Sequence, residues 1–138
     1  MLERVRITKR YTFEAAHSLP NYEGKCSHLH GHSYKLEVTV SGTIDSEDIV
    51  RGFQNDEPVL AECGMVVDFS NLKSCIKSVV DVYDHSNLND HFVLPTAECM
   101  SVQIFKDIQH KLGNSVRVES VKLWETEDSY AEYCGETE

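Results

Sequence analysis

Nothing in the chain reads as a membrane span or a leader. No apolar run approaches the ~20 residues a bilayer demands, and Met1-Leu2-Glu3-Arg4-Val5-Arg6 lacks the apolar centre of a secretion signal. Cytoplasmic residence is the expectation. Positive charge is scarce as well: 13 basic against 23 acidic side chains leave a formal net charge of −10, which speaks against nucleic acid or an anionic membrane as partner. Arg4, Arg6, Lys9, Arg10 and Lys25 lie close together in sequence, and such a set either meets a small anionic substrate or forms a solvated face. The cysteines, Cys26, Cys63, Cys75, Cys99 and Cys134, contain no Cys-x-x-Cys pair and are odd in number. That excludes a full disulfide framework and a cysteine-rich zinc knuckle. Cys75 falls in an apolar helical pattern as small core filler. Repeats, low-complexity segments and interdomain linkers are absent, so the 138 residues read as one domain, 1–138, with a modest core.

What is present is concentrated in Cys26-Ser27-His28-Leu29-His30-Gly31-His32. On a strand His30 and His32 leave one face, which Tyr34, Leu36, Val38 and Val40 continue, while Ser33, Lys35, Glu37 and Thr39 take the other. Earlier, Ile7, Tyr11, Phe13 and Ala15 share a face, with Lys9 as an exception, and His17 is next in line. If the two strands pair antiparallel, three imidazoles converge at one end of a sheet, pointing inward. Burying that many polar rings is costly unless each nitrogen finds a partner. Backbone carbonyls are the ordinary answer for a lone histidine. For three on one face, zinc answers better, accepting neutral imidazoles at about 2.0–2.1 Å and keeping a fourth position for water or substrate.

The expected order is strand 5–17, strand 32–43, a long polar connection, strand 64–69, helix 71–83, helix 96–112 and strand 115–125. Ser70 is available to cap the first helix, Pro95-Thr96 opens the second, and Gly113 closes it. Leu72, Cys75, Ile76, Val79, Val80 and Tyr83 recur at helical spacing, as do Met100, Ile104, Phe105, Ile108 and Leu112. Runs of strands around a helix pair imply α+β with an antiparallel sheet. The Thr43–Cys63 connection, with Val50, Phe53, Val59 and Leu60, is long for a hairpin and reads as a functional loop or a short surface helix.

Six stretches occur in a characteristic order: Phe13-Glu14-Ala15-Ala16-His17, Cys26-x-x-x-His30-Gly31-His32, Val67-Asp68-Phe69, Asp84-His85 with Leu88-Asn89, Pro95-Thr96-x-Glu98, and Glu125-Thr126. In these the chain resembles the 6-pyruvoyl-tetrahydropterin synthase / 6-carboxy-tetrahydropterin synthase family. The resemblance implies the tunnelling fold, β-β-α-α-β subunits closing into oligomeric barrels, a homohexamer of two stacked trimers, and zinc on His17, His30 and His32. Three residues between Cys26 and His30 resemble the 6-carboxy branch of the queuosine and 7-deazaguanine route. That branch converts 7,8-dihydroneopterin triphosphate and water to 6-carboxy-5,6,7,8-tetrahydropterin, acetaldehyde and triphosphate. The long Thr43–Cys63 connection departs from the family's usual short turn.

By the same resemblance Cys26 is the catalytic base, with Asp84 and His85 relaying its protons. A thiol near a dication has a lowered pKa and so becomes a usable base. The alternatives are a fourth zinc ligand or a bystander thiol for Cys26, and a surface or capping pair for Asp84-His85. Glu125, Thr96 and Glu98 correspond to residues around the pterin ring. A carboxylate such as Glu125 accepts two N–H bonds from the ring in one plane, whereas a helix-start Thr and Glu are also ordinary capping features. His28, His91 and His110 match no ligand. Two other outcomes stay open: a 6-pyruvoyl product, and a non-catalytic pterin- or metal-binding protein.

Overall fold

The computed structural model describes residues 1–20, 23–49 and 64–137, and of Cys26 only the backbone. Two long strands, β1 (Leu2–His17) and β2 (His30–Asp45), pair antiparallel from Leu2 opposite Asp45 to His17 opposite His30. Their alternation decides which face is covered: Phe13, Ala15, Tyr34, Leu36, Val38 and Val40 are buried, and the intervening side chains are more exposed. Helices α1 (Phe69–Val80) and α2 (Ala97–Leu112) supply the other half of this core through Leu72, Ile76, Val80, Met100, Ile104 and Ile108. Burying side chains of this size is worth roughly 1.5–3 kcal/mol each. Between the helices lies a two-residue strand, β3 (Ser86–Asn87), and after them β4 (Arg117–Thr126) and β5 (Ser129–Tyr133) complete an open sheet of order β3-β1-β2-β4-β5.

The α+β class holds, with four corrections. Residues 64–69 form no strand; a turn runs directly into α1. The cap of α1 is Asp68, not Ser70: the Asp68 carboxylate accepts the Ser70 N–H at 2.7 Å, so the helix begins two residues earlier than periodicity suggested. The sheet is not wholly antiparallel, because β3 runs parallel to β1 beside Ala15 and Ala16. Finally, the chain turns back after Thr126 to form β5, whose Ala131 packs against the core. The expected helix 96–112 is present, with Thr96 as cap and Gly113 at φ 72° as terminator.

The turn before α1 lies over β2 at a glycine: a Cβ on Gly42 would sit 2.8 Å from Val66 Cγ1. On the opposite, helix-free face, an irregularity between β2 and β4 leaves Glu119 as an extra residue between Val118 and Ser120. There the Arg4 guanidinium donates to the Ser41 hydroxyl at 3.0 Å, and that hydroxyl donates to Glu119. Of the basic residues of the first strand, Arg4 is engaged at Ser41 and Arg10 pairs with Glu37 at 2.9 Å, while Lys9 and Arg10 line an open groove with Lys35, Lys73 and Lys77. Cys63 and the Val50, Phe53, Val59 and Leu60 part of the long connection lie outside the described residues.

Candidate metal centre

The register that sets His17 opposite His30 also sets Ala15 opposite His32. Because all three point to the covered face, their rings meet at the end of the hairpin, with centroids 4.7–5.0 Å apart. His17 is 1% exposed, and the other two are half-buried. Each offers a nitrogen, and these atoms lie within 4.8 Å of one another. His17 Nε2 stands 3.2 Å from His30 Nε2 and 3.2 Å from His32 Nε2.

The contact between His17 and His30 is not an ordinary hydrogen bond. His17 donates its Nδ1–H to the Pro95 carbonyl at 2.7 Å, and His30 donates its Nδ1–H to the His28 carbonyl at 2.7 Å. A neutral imidazole has one N–H, so both Nε2 atoms carry lone pairs and no proton lies between them. Two lone pairs at that distance repel unless a cation shares them. Four ligands arranged tetrahedrally at about 2.0–2.1 Å are about 3.3–3.4 Å apart, close to the observed spacing. Carbonyls gripping the far nitrogens are the usual way a protein fixes the tautomer of a metal-binding histidine. The residues therefore fit a metal ion, and the donor set of neutral nitrogens suits zinc and its neighbours. Burial lowers the His32 pKa, and the neighbouring imidazoles add to this, while Glu125 opposes them. The neutral, ligating form is favoured.

Below the rings lies Tyr34, fully buried, its hydroxyl 3.3 Å from His17 Nδ1. Burial, and next the charge of Glu125, raise its pKa, so it stays a neutral phenol. Glu125, at the end of β4, faces a groove of about 460 Å³ that it shares with Ala97, Glu98, Ser129 and Tyr130. Two of the three residues expected near a ligand ring, Glu125 and Glu98, are thus brought together. The third, Thr96, uses its hydroxyl to accept the Cys99 N–H at 3.1 Å and cap α2.

Asp84 and His85 form a pair of their own. His85 Nδ1 lies 3.0 Å from Asp84 Oδ2, and Asp84 Oδ1 accepts the Glu14 N–H at 2.9 Å. The Glu14 hydrogen bond above all, and then His85, hold the Asp84 carboxyl below its ordinary pKa. His85 has φ 57° and donates its own N–H to the Glu14 carbonyl. Such a conformation costs about 1–3 kcal/mol in a non-glycine residue and tends to mark functional sites. His85 borders an open groove of about 550 Å³ with Glu14, Gly31, His32 and Ser33. No hydrogen bond among the described residues joins it to the three imidazoles. Cys26 lies in a short 3₁₀ turn, Lys25–Ser27, just before β2, and its side chain lies outside what the structure describes. His28 contributes its carbonyl and not its ring, and His91 stacks edge-on against Tyr83 at 5.3 Å. Sequence reasoning missed the Pro95 and His28 carbonyls and Tyr34. Only Tyr34, two residues after His32 on the same face, had a signal to find.

Fold and site together define a small α+β protein with three imidazoles that could hold a metal ion at the loop end of a β-hairpin. The 6-pyruvoyl tetrahydropterin synthase family model matches residues 6–136, and the chain belongs to that family. It is 37% identical to the 6-carboxy-5,6,7,8-tetrahydropterin synthase of Synechocystis, over 92% of this chain and 91% of that protein. It is 33% identical to the protein of the same name from Haemophilus influenzae, over 93% and 97%. Among solved structures, the 6-pyruvoyl tetrahydropterin synthase of Caenorhabditis elegans superposes with a TM-score of 0.76 at 24% identity, covering 97% of each chain.

Proposed function

We propose that the protein is a zinc-dependent lyase, a 6-carboxy-5,6,7,8-tetrahydropterin synthase acting on 7,8-dihydroneopterin triphosphate in 7-deazaguanine biosynthesis. The observation that carries this reading is the contact of two unprotonated Nε2 atoms, His17 and His30, at 3.2 Å, with His32 Nε2 at the same distance from His17, a geometry suited to a cation. The names of the two bacterial relatives support the choice of product. Zinc bound by His17, His30 and His32 would act as a Lewis acid on the substrate's side-chain oxygens and acidify the neighbouring C–H bonds.

The chain's own groups then move the protons. Cys26 is the base that removes one from the substrate side chain. His85 exchanges protons through its free Nε2, because its Nδ1 is directed at Asp84. Asp84, kept ionised by the Glu14 N–H, orients that ring and balances its charge when it is protonated. Glu125 accepts the N–H groups of the pterin edge, with Glu98 beside it in the groove and Thr96 at the start of the same helix. The Leu2–Glu14 edge of β1 and the outer edge of β5 have no partner strand among the described residues. Those edges support closure of a barrel by further copies in a homohexamer of two trimers.

Incubation with dihydroneopterin triphosphate, with and without a chelator, tests the reading. Mass spectrometry should find 6-carboxy-tetrahydropterin and acetaldehyde, and none after chelation. Triphosphate loss without carbon loss would instead make the product 6-pyruvoyl-tetrahydropterin. Cys26→Ala should abolish turnover while the protein retains about one zinc per chain.

A further inference from the structure

We propose that Thr96 is a positioning residue for the metal centre, acting through the Pro95 carbonyl on His17. The inference rests on the metal reading above and concerns how the cradle is held. His17 is 1% exposed, so water cannot stand in for a lost partner at Nδ1. That partner is the Pro95 carbonyl, at 2.7 Å. The carbonyl belongs to the peptide unit that joins Pro95 to Thr96, and this unit is restrained from both sides. On one side the proline ring fixes its own φ. On the other, Thr96 is held at φ −84° and ψ 155° as the N-cap of α2, with its hydroxyl accepting the Cys99 N–H at 3.1 Å.

If the Thr96 cap is lost, the Pro95–Thr96 peptide is free to rotate and its carbonyl leaves the His17 Nδ1–H. His17 Nδ1 then keeps only the longer contact with the Tyr34 hydroxyl, 3.3 Å away, and the tautomer protonated on Nε2, which cannot ligate through that atom, gains population. The cap of α2 thus sets both the start of the helix and the donor atom offered by a ligand 79 residues away in sequence. The competing role is plain helix capping, worth about 1 kcal/mol of stability with no effect on the metal. Asp68 provides the comparison, because its side chain caps α1 and, among the described residues, the carbonyl before it holds none of the three imidazoles.

The test is the dissociation constant of Co²⁺, measured by competition with a chromophoric chelator, together with the visible spectrum of the cobalt-loaded protein. Four variants of the full chain are compared: Thr96→Val, Thr96→Ser, Thr96→Gly and Asp68→Ala. Thr96→Val should bind about tenfold more weakly, the lower end for loss of a group supporting a ligand, with a shifted spectrum. Thr96→Ser should restore both. Thr96→Gly, which keeps most of the capping energy, answers the same question if the valine variant fails to fold. Wild-type affinity in the Val and Gly variants, or equal weakening in Asp68→Ala, overturns the proposal. A wild-type chain that binds no cobalt overturns the metal reading itself.

Discussion

The two ends of the β1–β2 hairpin each carry a polar cluster, and they are built on opposite principles. At the far end, Arg4 donates to Ser41 and Ser41 donates to Glu119. Donors meet acceptors, and positive charge lies near negative. At the near end, three imidazoles converge, and two of them have already spent their only N–H on backbone carbonyls. Lone pair faces lone pair. The closed network serves the fold by letting a buried serine sit in a sheet. The open one makes sense only with a further positive charge, and that unmet demand distinguishes a site from a structural cluster.

The comparison can be broken most forcefully with metal. Zinc at a hundredfold excess over its dissociation constant should stabilise the wild-type protein by about 2.7 kcal/mol, read as a rise in melting temperature. His32→Ala should erase that rise. His32 makes no hydrogen bond other than its contact with His17 among the described residues, so the metal-free variant should melt close to the metal-free parent. A residual zinc-dependent rise would mean that the ion binds elsewhere.

Near the far end the effects should be independent of metal. Gly42→Ala places a methyl 2.8 Å from Val66 Cγ1 and should cost about 1–3 kcal/mol as overpacking, measured by denaturant titration with and without zinc. Smaller still is Ser41→Ala, at about 1 kcal/mol, again the same in both conditions. Ser41, first, and then the nearby Arg117, Arg6 and Arg4 hold the Glu119 carboxyl below its ordinary pKa. A carboxyl depressed in the folded state contributes stability above its unfolded pKa, and that contribution is lost as pH falls through the folded value. In Ser41→Ala, NMR titration should find the Glu119 pKa higher and this acid-range loss diminished. An unmoved Glu119 would show that the arginines alone hold it.

The hairpin and its imidazoles were legible because strand alternation has a period of two and β1 carries it almost without interruption, from Ile7 to His17. Helix α2 was legible from its punctuation, a capping threonine and a terminal glycine. The stretch 64–69 was misread because Met65, Val66 and Val67 have strand-like composition. Val66 instead packs over Gly42, which no local pattern reveals. β5 was missed because its Ser-Tyr-Ala-Glu-Tyr run is short and its register depends on pairing with β4. At the site, the three histidines could be read, but the groups that fix their tautomers could not. Those are backbone carbonyls, and every residue has one.

By itself, then, the order of side chains determined which face each strand would bury and which imidazoles would share it, because that follows from local geometry. Only the folded chain decided which nitrogen His17 and His30 present, that His85 borders a groove with His32, and that among the described residues two strand edges have no partner strand. Those features depend on contacts between segments far apart in sequence, where a carbonyl at Pro95 can reach a ring at His17.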